Sequence, residues 1–334
     1  MSTAYSMVLR PSMTQSKPVC FVGFDTSNYT TSAAVCNEQG EVIANIKSPL
    51  PVDAGACGLR QSDAVFAHLK NLPDVCEQVR AVTADYTVAA VGYSAFPRDA
   101  KDSYMPCFLA GKTAATAFAA AAGVPLYAFS HQNGHIMAAA YSSGQLDKLM
   151  QGQFIAFHVS GGTTEAVLVT PESGSIGSVT LVGETADLNA GQAIDRIGVA
   201  MGLSFPCGRA LELLAAEASG KIPKPRVSVK GSVCNLSGLE NLALKLYNMT
   251  GNKELTAAYT LDFVAQTLSQ MTENILAEHG RMPVLYAGGV MSNCRIRERL
   301  ERKFHAYFGA PAFSADNAAG TSLLCRNEFL KRGV

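Results

Sequence analysis

Two histidines four residues apart are the side chains of this sequence best suited to share a metal ion. His131 and His135 begin and end the segment His-Gln-Asn-Gly-His, and residues at this spacing lie on one face of a helix. Imidazole is a common ligand of zinc and iron, and Asp316 is the candidate third ligand because it opens a predicted helix. Surface decoration of a helix and a plain helix N-cap explain the same three residues without a metal.

A turn of glycine and hydroxyl residues is the candidate phosphate-binding element. Such residues in a turn between strands let backbone N–H groups come close to a phosphate. Many hairpin turns have this composition, but an Asp-Thr-Ser turn at residues 25–27 stands at the matching point of the first half of the chain. Two facing turns would hold a nucleotide from opposite sides. The residues of the predicted phosphate-binding turn are Ser160, Gly161, Gly162, Thr163 and Thr164.

A second glycine-containing segment and several carboxylates are further candidates for nucleotide contacts. Residues 284–287 are typical of a strand, and the glycine pair that follows precedes a helix. This is the position at which open α/β sheets bind nucleotides. Glu184, Asp187 and Asp195 place carboxylates where ribose hydroxyls or a metal-bound phosphate would be held. A solvated charge on a helix explains Asp195 equally well.

The elements that must carry these residues repeat in the two halves of the chain. An apolar run, a polar turn and a second apolar run occupy residues 19–35, and the same order returns at residues 154–169. Each segment predicts two strands joined by a turn, so the sequence indicates an internal duplication. Strands at residues 87–93 and 125–129 flank a helix at residues 109–122, and this alternation predicts a largely parallel sheet in an α/β fold.

The second half continues with helices and one strand, interrupted by a basic, proline-containing segment at residues 221–230. Serine, glycine and glutamine at residues 143–152 mark the predicted boundary between two lobes. The predicted elements lie at residues 190–201, 210–217, 256–279 and 284–287, with a further helix after Gly289. The predicted division is a flexible tail at residues 1–18, a first lobe at 19–148, a second lobe at 149–317 and a final helix at 318–334 that packs back on the first lobe.

Composition narrows the class of protein. A chain of 334 residues is long enough for two domains, and its 48% hydrophobic and 16% charged residues suit buried sheets flanked by alanine-rich helices. Lys plus Arg and Asp plus Glu number 27 each, so any RNA contact must be a local patch. The nine cysteines include no Cys-x-x-Cys pair, which favours reduced thiols. Because no apolar run is long enough for a membrane span or a signal peptide, we expect a cytoplasmic protein without a membrane partner.

Seven segments, in order, are similar to those of the tRNA threonylcarbamoyladenosine transferase family, whose members were once described as O-sialoglycoprotein endopeptidases. The resemblance extends from about residue 20 to about residue 330. It implies a duplicated α/β fold of the actin-like ATPase, sugar-kinase and heat-shock-70 type, in which two lobes enclose a cleft. The segments are His-Gln-Asn-Gly-His at 131–135, Val-Ser-Gly-Gly-Thr at 159–163, Gly-Gln-Ala-Ile-Asp at 191–195, Pro-Cys-Gly at 206–208, Asn-Leu-Ser-Gly-Leu at 235–239, Gly-Gly-Val-Met-Ser-Asn at 288–293 and Asp-Asn-Ala-Ala at 316–319.

The resemblance implies a metal and a nucleotide-bearing substrate. His131, His135 and Asp316 would be the ligands of one divalent ion, iron or zinc, which polarises or anchors a phosphate. The family transfers a threonylcarbamoyl group from its ATP-derived adenylate to an adenosine beside the tRNA anticodon, without a covalent nucleophile. Its partners would be the adenylate, tRNA, helper subunits and a second subunit in a homo- or heterodimer. The residues implied for the nucleotide-bearing substrate are Ser160, Gly161, Gly162, Thr163, Thr164, Asp195, Gly208 and Asn293.

Three segments depart from the family pattern. The family's first loop carries Cys-Asp-Glu-Thr, whereas Asn28, Tyr29 and Thr30 follow the Asp-Thr-Ser turn here. The glutamate between the family's histidines is replaced by Asn133, and a Gly-Pro-Gly loop is replaced by Ser-Ala-Phe-Pro-Arg-Asp at residues 94–99. These exchanges surround one cleft and indicate a divergent paralogue.

Three functional hypotheses follow from the sequence. The first is metal-dependent transfer of a threonylcarbamoyl group to tRNA, with the basic segments at residues 221–230 and 295–303 as candidate phosphate contacts; solvated helix faces explain these segments equally well. The second is a carbamoyl-type transfer to another amine or hydroxyl. The third is a non-catalytic nucleotide-binding partner subunit. A zinc peptidase is disfavoured because the glutamate of a His-Glu-x-x-His motif is absent.

Overall fold

The structure is a computed structural model that describes residues 17–27, 29–51 and 59–333. Most of the predicted tail, residues 1–16, lies outside these ranges, as does Asn28 of the divergent first loop. Among the described residues, two sheets with flanking helices form an α/β fold, as predicted.

The first sheet combines a three-stranded antiparallel meander with two parallel strands. Its strands are β1 (Val19–Thr26), β2 (Thr30–Asn37), β3 (Val42–Pro49), β4 (Thr87–Phe96) and β5 (Leu126–Ser130). They lie in the order β3-β2-β1-β4-β5, and β4 and β5 run parallel to β1. The central strand β1 is apolar and buried along nearly its whole length because helices cover both faces of the sheet.

The second sheet repeats this arrangement. Its strands are β6 (Phe154–Val159), β7 (Thr164–Glu172), β8 (Ser175–Thr185), β9 (Ser228–Lys230), β10 (Val233–Asn235), β11 (Val284–Ala287) and β12 (Ala306–Phe308). Their order is β12-β11-β6-β7-β8-β10-β9. The meander β6-β7-β8 and the parallel strands β11 and β12 correspond to β1-β2-β3, β4 and β5, which confirms the predicted duplication.

The prediction of a largely parallel sheet was wrong. Two of the four strand pairs in the first sheet are antiparallel, and so are three of the six pairs in the second. The reason lies in the connections: β1 to β2 and β6 to β7 are joined by short turns, which permit only antiparallel pairing. Parallel pairs occur where a helix intervenes between the strands.

Ten helices pack on the two sheets in the described part of the chain. Those of the first half are α1 (Gln61–Thr83), α2 (Phe108–Ala122), α3 (His131–Ser142) and α4 (Leu146–Leu149). Those of the second half are α5 (Ala190–Ala200), α6 (Gly208–Ala216), α7 (Ser237–Thr250), α8 (Lys253–His279), α9 (Cys294–Glu301) and α10 (Ala319–Arg332). A short 3-10 helix, Gly289–Ser292, precedes α9.

Helix α3 lies between the two sheets. Its Met137 packs with Phe21 of the first sheet and Leu324 of α10. One residue earlier, Ile136 packs with Phe154 of the second sheet and its neighbours. The helix that carries both histidines is therefore fixed by apolar contacts with both halves of the molecule.

Helices α3 and α10 touch at a pair of glycines. A Cβ at Gly320 would lie 1.8 Å from the carbonyl oxygen of Gly134, which no side chain can tolerate. Helix α10 also packs closely on β1, where a Cβ at Gly23 would lie 2.4 Å from the backbone nitrogen of Ser322. These contacts bring the segment before α10 alongside the first turn of α3. None of the helices in the described ranges combines the length and apolar character that crossing a membrane requires.

Candidate metal centre and nucleotide cleft

Three side chains from distant parts of the sequence converge at the first turn of α3. His131 and His135 project from this helix, and Asp316 lies just before α10. Their ligand atoms lie within 4.8 Å of one another. The Oδ1 atom of Asp316 is 3.4 Å from Nε2 of His135 and 3.7 Å from Nε2 of His131. The sequence-predicted ligand set is thus assembled in space, and we call it the histidine cluster.

The histidine cluster has donor atoms suited to a divalent transition metal. Metal bonds of about 2.1 Å at tetrahedral or octahedral angles place neighbouring ligand atoms about 3.0–3.5 Å apart. The separations of 3.4 and 3.7 Å in the cluster are close to these values. Two imidazole nitrogens with one carboxylate oxygen match the preferences of iron and zinc, and the three ligands leave further positions of a metal open. The residues present therefore fit a bound metal.

A buried carboxylate orients the first histidine. Asp25 at the end of β1 is fully buried, and its Oδ2 atom lies 2.7 Å from Nδ1 of His131. Because a carboxylate can only accept, Nδ1 carries the proton and Nε2 faces Asp316. Asp25 also accepts from the backbone N–H of Ser27 at 3.0 Å and from the hydroxyl of Ser94. The sequence interpretation gave the 25–27 turn to a nucleotide; here its aspartate supports the histidine cluster instead.

Electrostatics of the histidine cluster favour a positive charge. Burial lowers the pKa of His131, but the carboxylates of Asp25 and Asp316 outweigh it and raise that pKa to about 9. Burial raises the pKa of Asp25, yet His131 and Ser94 hold it below its usual value. The pKa of Asp316 is likewise held well below its usual range, against the effect of burial, by His135 and His131. Two ionised carboxylates around these rings create a potential that attracts a cation.

His158 belongs to the same site, although it was left as an isolated structural residue in the sequence interpretation; that prediction was wrong. On β6 its side chain points to the same face as Phe154, which packs against α3. Its ring centroid lies 4.9 Å from that of His135. Burial and the neighbouring His135 and His131 lower the pKa of His158 to about 3, so it stays neutral. Its position two residues before Ser160 was the available signal.

Two cavities lie on either side of the Ser-Gly-Gly-Thr turn. The histidine cavity has a volume of about 390 Å³ and the glycine cavity about 360 Å³. The histidine cavity is lined by His131, His135, His158, Asp316, Ser160, Gly162, Thr163, Glu165, Arg98 and others. The glycine cavity is lined by Gly161, Gly191, Asp195, Gly208, Gly289, Asn293 and others. The turn is thus the wall between the two cavities, with alternate residues facing each.

The turn is fixed by its own serine and by helix α5. The Oγ atom of Ser160 accepts from the backbone nitrogens of Gly162 and Thr163 at 3.3 and 3.1 Å. The N–H of Gly191 in the first turn of α5 donates to the carbonyl of Ser160 at 3.1 Å. A Cβ at Gly191 would lie 2.6 Å from the nitrogen of Gly161. This close approach places the positive N-terminal end of α5 beside the turn, where an anion is stabilised.

The remaining nucleotide candidates divide into two groups. Asp195 lines the glycine cavity and its Oδ1 atom accepts from the backbone of Cys207 at 2.7 Å, while burial raises its pKa. Asn293 also lines it and caps α9 through the N–H of Ile296 at 3.1 Å. Thr164, in contrast, is buried, and its hydroxyl accepts from Ala190 at 2.9 Å. Thr164 therefore anchors α5 and is among the lining residues of neither cavity.

Asp187 has a structural partner in place of the suggested ribose. Its carboxylate accepts from the backbone nitrogens of Leu188 and Leu236 at 2.6 and 2.7 Å, and from the hydroxyl and N–H of Ser237. These hydrogen bonds hold its pKa at about 2, against the opposing effect of burial. Asp187 thus ties the loop before α5 to the start of α7, and it does not line the glycine cavity.

Two of the departures from the family pattern contact each other. Asn133 donates to the Oδ2 atom of Asp99 at 2.7 Å, and the hydroxyl of Ser130 donates to the same oxygen at 3.1 Å. The exchanged loop at residues 94–99 is therefore bound to the start of α3 through the exchanged residue between the histidines. A carboxylate is retained near this position, but it comes from the loop.

The two basic segments differ in how their charges are used. In the segment at residues 295–303 every arginine and lysine has a carboxylate partner within 4.0 Å. In the segment at residues 221–230 no ion pair is formed within the described part of the chain. Lys224 and Arg226 of this segment instead line a surface groove together with Lys245 of α7.

Comparison with known sequences assigns a similarity to most of the chain. A family model described as "tRNA N6-adenosine threonylcarbamoyltransferase" matches residues 104–323. The protein of that name from Streptococcus sanguinis (strain SK36) is 30% identical over 300 residues, covering 84% of this chain and 82% of the relative. Its namesake from Methanopyrus kandleri is 28% identical over 305 residues, covering 89% and 84%.

Comparison with solved structures concerns the fold. HypF in its phosphate- and nucleotide-bound form matches with a TM-score of 0.60 at 12% identity, over 94% of this chain and 56% of HypF. A ROK family glucokinase from Streptomyces griseus, in complex with glucose and AMPPNP, matches with a TM-score of 0.52 at 13% identity, over 92% and 99% of the two chains. The predicted duplicated fold of the actin-like ATPase and sugar-kinase type is thereby confirmed.

Proposed function

Since the chain belongs to the tRNA N6-adenosine threonylcarbamoyltransferase family, we propose that it transfers a threonylcarbamoyl group from its adenylate to an adenosine of tRNA, with a divalent metal held by His131, His135 and Asp316. The observation that carries the proposal is the pair of cavities with one shared wall. A nucleotide in the glycine cavity and a reacting group in the histidine cavity would meet at the Ser-Gly-Gly-Thr turn.

The glycine cavity supports a nucleoside monophosphate. Its volume of about 360 Å³ lies in the range of about 300–1,000 Å³ usual for small-molecule sites. Asp195 offers a carboxylate oxygen for ribose hydroxyls, and Gly208 and Gly289 leave space for a flat base. The turn and the N-terminal end of α5 supply N–H donors and positive potential to the phosphate.

The histidine cluster supports the chemistry of a mixed anhydride. A divalent ion bound there would polarise a phosphate oxygen and stabilise the departing negative charge. Asp25 fixes the orientation of His131, and Asp316 supplies the anionic ligand. In the reaction the adenosine amine forms a bond to the carbamoyl carbon, the bond from that carbon to the phosphate oxygen breaks, AMP leaves and the amine loses one proton. Correct alignment of the amine is the main task of the protein.

The unpaired basic segment is the proposed contact for the tRNA backbone. Lys224, Arg226 and Lys245 line one surface groove, and none of them forms an ion pair within the described residues. Each phosphate contact releases a condensed counterion, so binding should weaken steeply as salt concentration rises. The segment at residues 295–303 is the less suitable candidate because its charges are already neutralised by neighbouring carboxylates.

A direct test combines the purified protein, a divalent metal, synthetic threonylcarbamoyl adenylate and unmodified tRNA, together with the helper subunits if required. Mass spectrometry of the digested tRNA should detect threonylcarbamoyladenosine. His135→Ala should abolish the product, whereas His279→Ala, at the C-terminal end of α8, should leave it unchanged. A wild-type protein that binds the adenylate and metal but leaves tRNA unmodified would contradict the proposal.

Transfer of a carbamoyl-type group to another acceptor is the second candidate. The observation in its favour is the exchanged loop at residues 94–99, which borders the histidine cavity and is bound to the exchanged Asn133. Changes on this side affect the space in which the acceptor must lie. The same assay with small amines and hydroxyl compounds in place of tRNA distinguishes the two candidates.

A further inference from the structure

An arginine of the exchanged loop reaches across the cleft to the second lobe. Arg98 lies between β4 and α2, and its Nη2 atom is 2.7 Å from the Oε2 atom of Glu165 on β7. The glutamate side chain is 9% exposed, whereas the arginine side chain is 49% exposed. Most of the guanidinium is therefore accessible from the histidine cavity, which both residues line.

Arg98 is the one arginine or lysine among the described residues that line the histidine cavity. A guanidinium has five N–H donors in a planar fork, and the contact with Glu165 engages one of its nitrogens. Other donors remain for a second anion. Apolar side chains of Met105 and Phe108 line the same cavity and suit the carbon atoms of a small acyl group.

We propose that Arg98 binds the carboxylate of the transferred acyl group and thereby selects donors whose acyl group ends in an acid. This inference rests on the proposed function, in which the acyl carbon lies beside the histidine cluster. An acyl group that extends from there into the histidine cavity meets Arg98 as the permanent cation at its far end. Paired N–H donors match the two oxygens of a carboxylate.

The surroundings of Arg98 separate this role from simple bridging of the lobes. Glu165 keeps a second partner, because the Oε1 atom accepts from Gln132 at 3.0 Å. The loop is held independently by Asp99 and by the hydrogen bond from the backbone nitrogen of Arg98 to Ser103 at 3.0 Å. Removing the guanidinium therefore leaves the loop and Glu165 in place.

The test compares two stable analogues of the adenylate, one with a free threonine carboxylate and one in which this group is a methyl ester. Calorimetry measures the Kd of each for the wild type, Arg98→Met and Arg98→Lys. Wild type should bind the acid about 10–100 times more tightly than the ester, the usual effect of a charge-assisted hydrogen bond. Arg98→Met should remove this difference, and Arg98→Lys should restore part of it.

The control variant is Arg80→Met, which removes an exposed arginine paired with Glu77 on α1 and should bind both analogues like the wild type. Equal affinity of the wild type for acid and ester, or equal weakening of both by Arg98→Met, would overturn the role of Arg98 alone. Failure of the wild type to bind either analogue would overturn the proposed function, and this inference with it.

Discussion

The two cavities of the cleft are built on different principles. The glycine cavity is formed by the second half of the chain alone, from backbone turns and helix ends at Gly161, Gly208 and Asn293. The histidine cavity draws on both halves, and its chemistry resides in charged side chains that contact one another. The difference teaches that recognition of the nucleotide and assembly of the metal site are separable, and that transfer needs both.

Loss of one metal ligand should give the largest separation. His131→Ala removes one of three protein ligands, so metal affinity should fall by more than the roughly 10–100-fold that second-shell changes cost, and transfer should be lost. Affinity for AMP should stay within about twofold of wild type because the glycine cavity is untouched. Elemental analysis and calorimetry measure the two quantities. His305→Ala is the control, and unchanged metal content in His131→Ala would refute the ligand assignment.

Loss of the supporting carboxylate should have the next largest effect. Asp25→Asn replaces the charged acceptor of the His131 Nδ1 proton by a neutral amide, and metal affinity should fall about 10–100-fold. Competition with a fluorescent chelator measures this change. Asp187→Asn, at an aspartate that serves only the second half, should retain wild-type metal affinity. If both variants behave alike, the separation of the two cavities is not as described.

A change on the nucleotide side should show the reverse pattern. Asp195→Asn removes the charge that faces the glycine cavity, so affinity for AMP should fall about tenfold, as expected for a lost charge-assisted hydrogen bond. Metal content should be unchanged. Asp147→Asn on the surface helix α4 is the control. A loss of metal in Asp195→Asn would indicate that the two cavities are coupled.

The smallest effect concerns stability in acid. The folded pKa of Asp187 is about 2, below the unfolded value of about 3.9. Asp187 therefore contributes stability above the unfolded pKa, and this contribution is lost as pH falls from about 4 towards 2. Asp187→Asn should lower Tm by a few degrees at pH 7, and the difference from wild type should narrow at pH 3. Thermal unfolding followed by circular dichroism measures both; a difference independent of pH would exclude this cause.

Local patterns in the sequence predicted much of the fold. The hairpins around residues 25–27 and 160–163 were predictable because strand, turn and strand are adjacent in the chain. Helix α1 was not predicted, since Pro73 lies inside it and interrupts the pattern expected of a helix. The edge strand β3 and the strand β8 were not predicted either, because only half-buried residues mark them.

The candidate site was predictable only in part. Spacing identified His131 and His135, and resemblance to a family supplied Asp316. The roles of Asp25 and His158 depend on strands that bring them beside α3, and nothing in their local sequence records that contact. The pairing of Asn133 with Asp99 likewise joins two departures that look independent along the chain.

The glycine contact between α3 and α10 has a consequence for the order in which the molecule comes apart. His135 follows Gly134 directly, and Asp316 precedes Gly320 by one helical turn, so a metal ion bound there would fasten the C-terminal helix to the middle of the polypeptide. A chelator should then release α10 before any other element. Amide hydrogen exchange in this helix should accelerate on metal removal, while α5 and α8 remain protected.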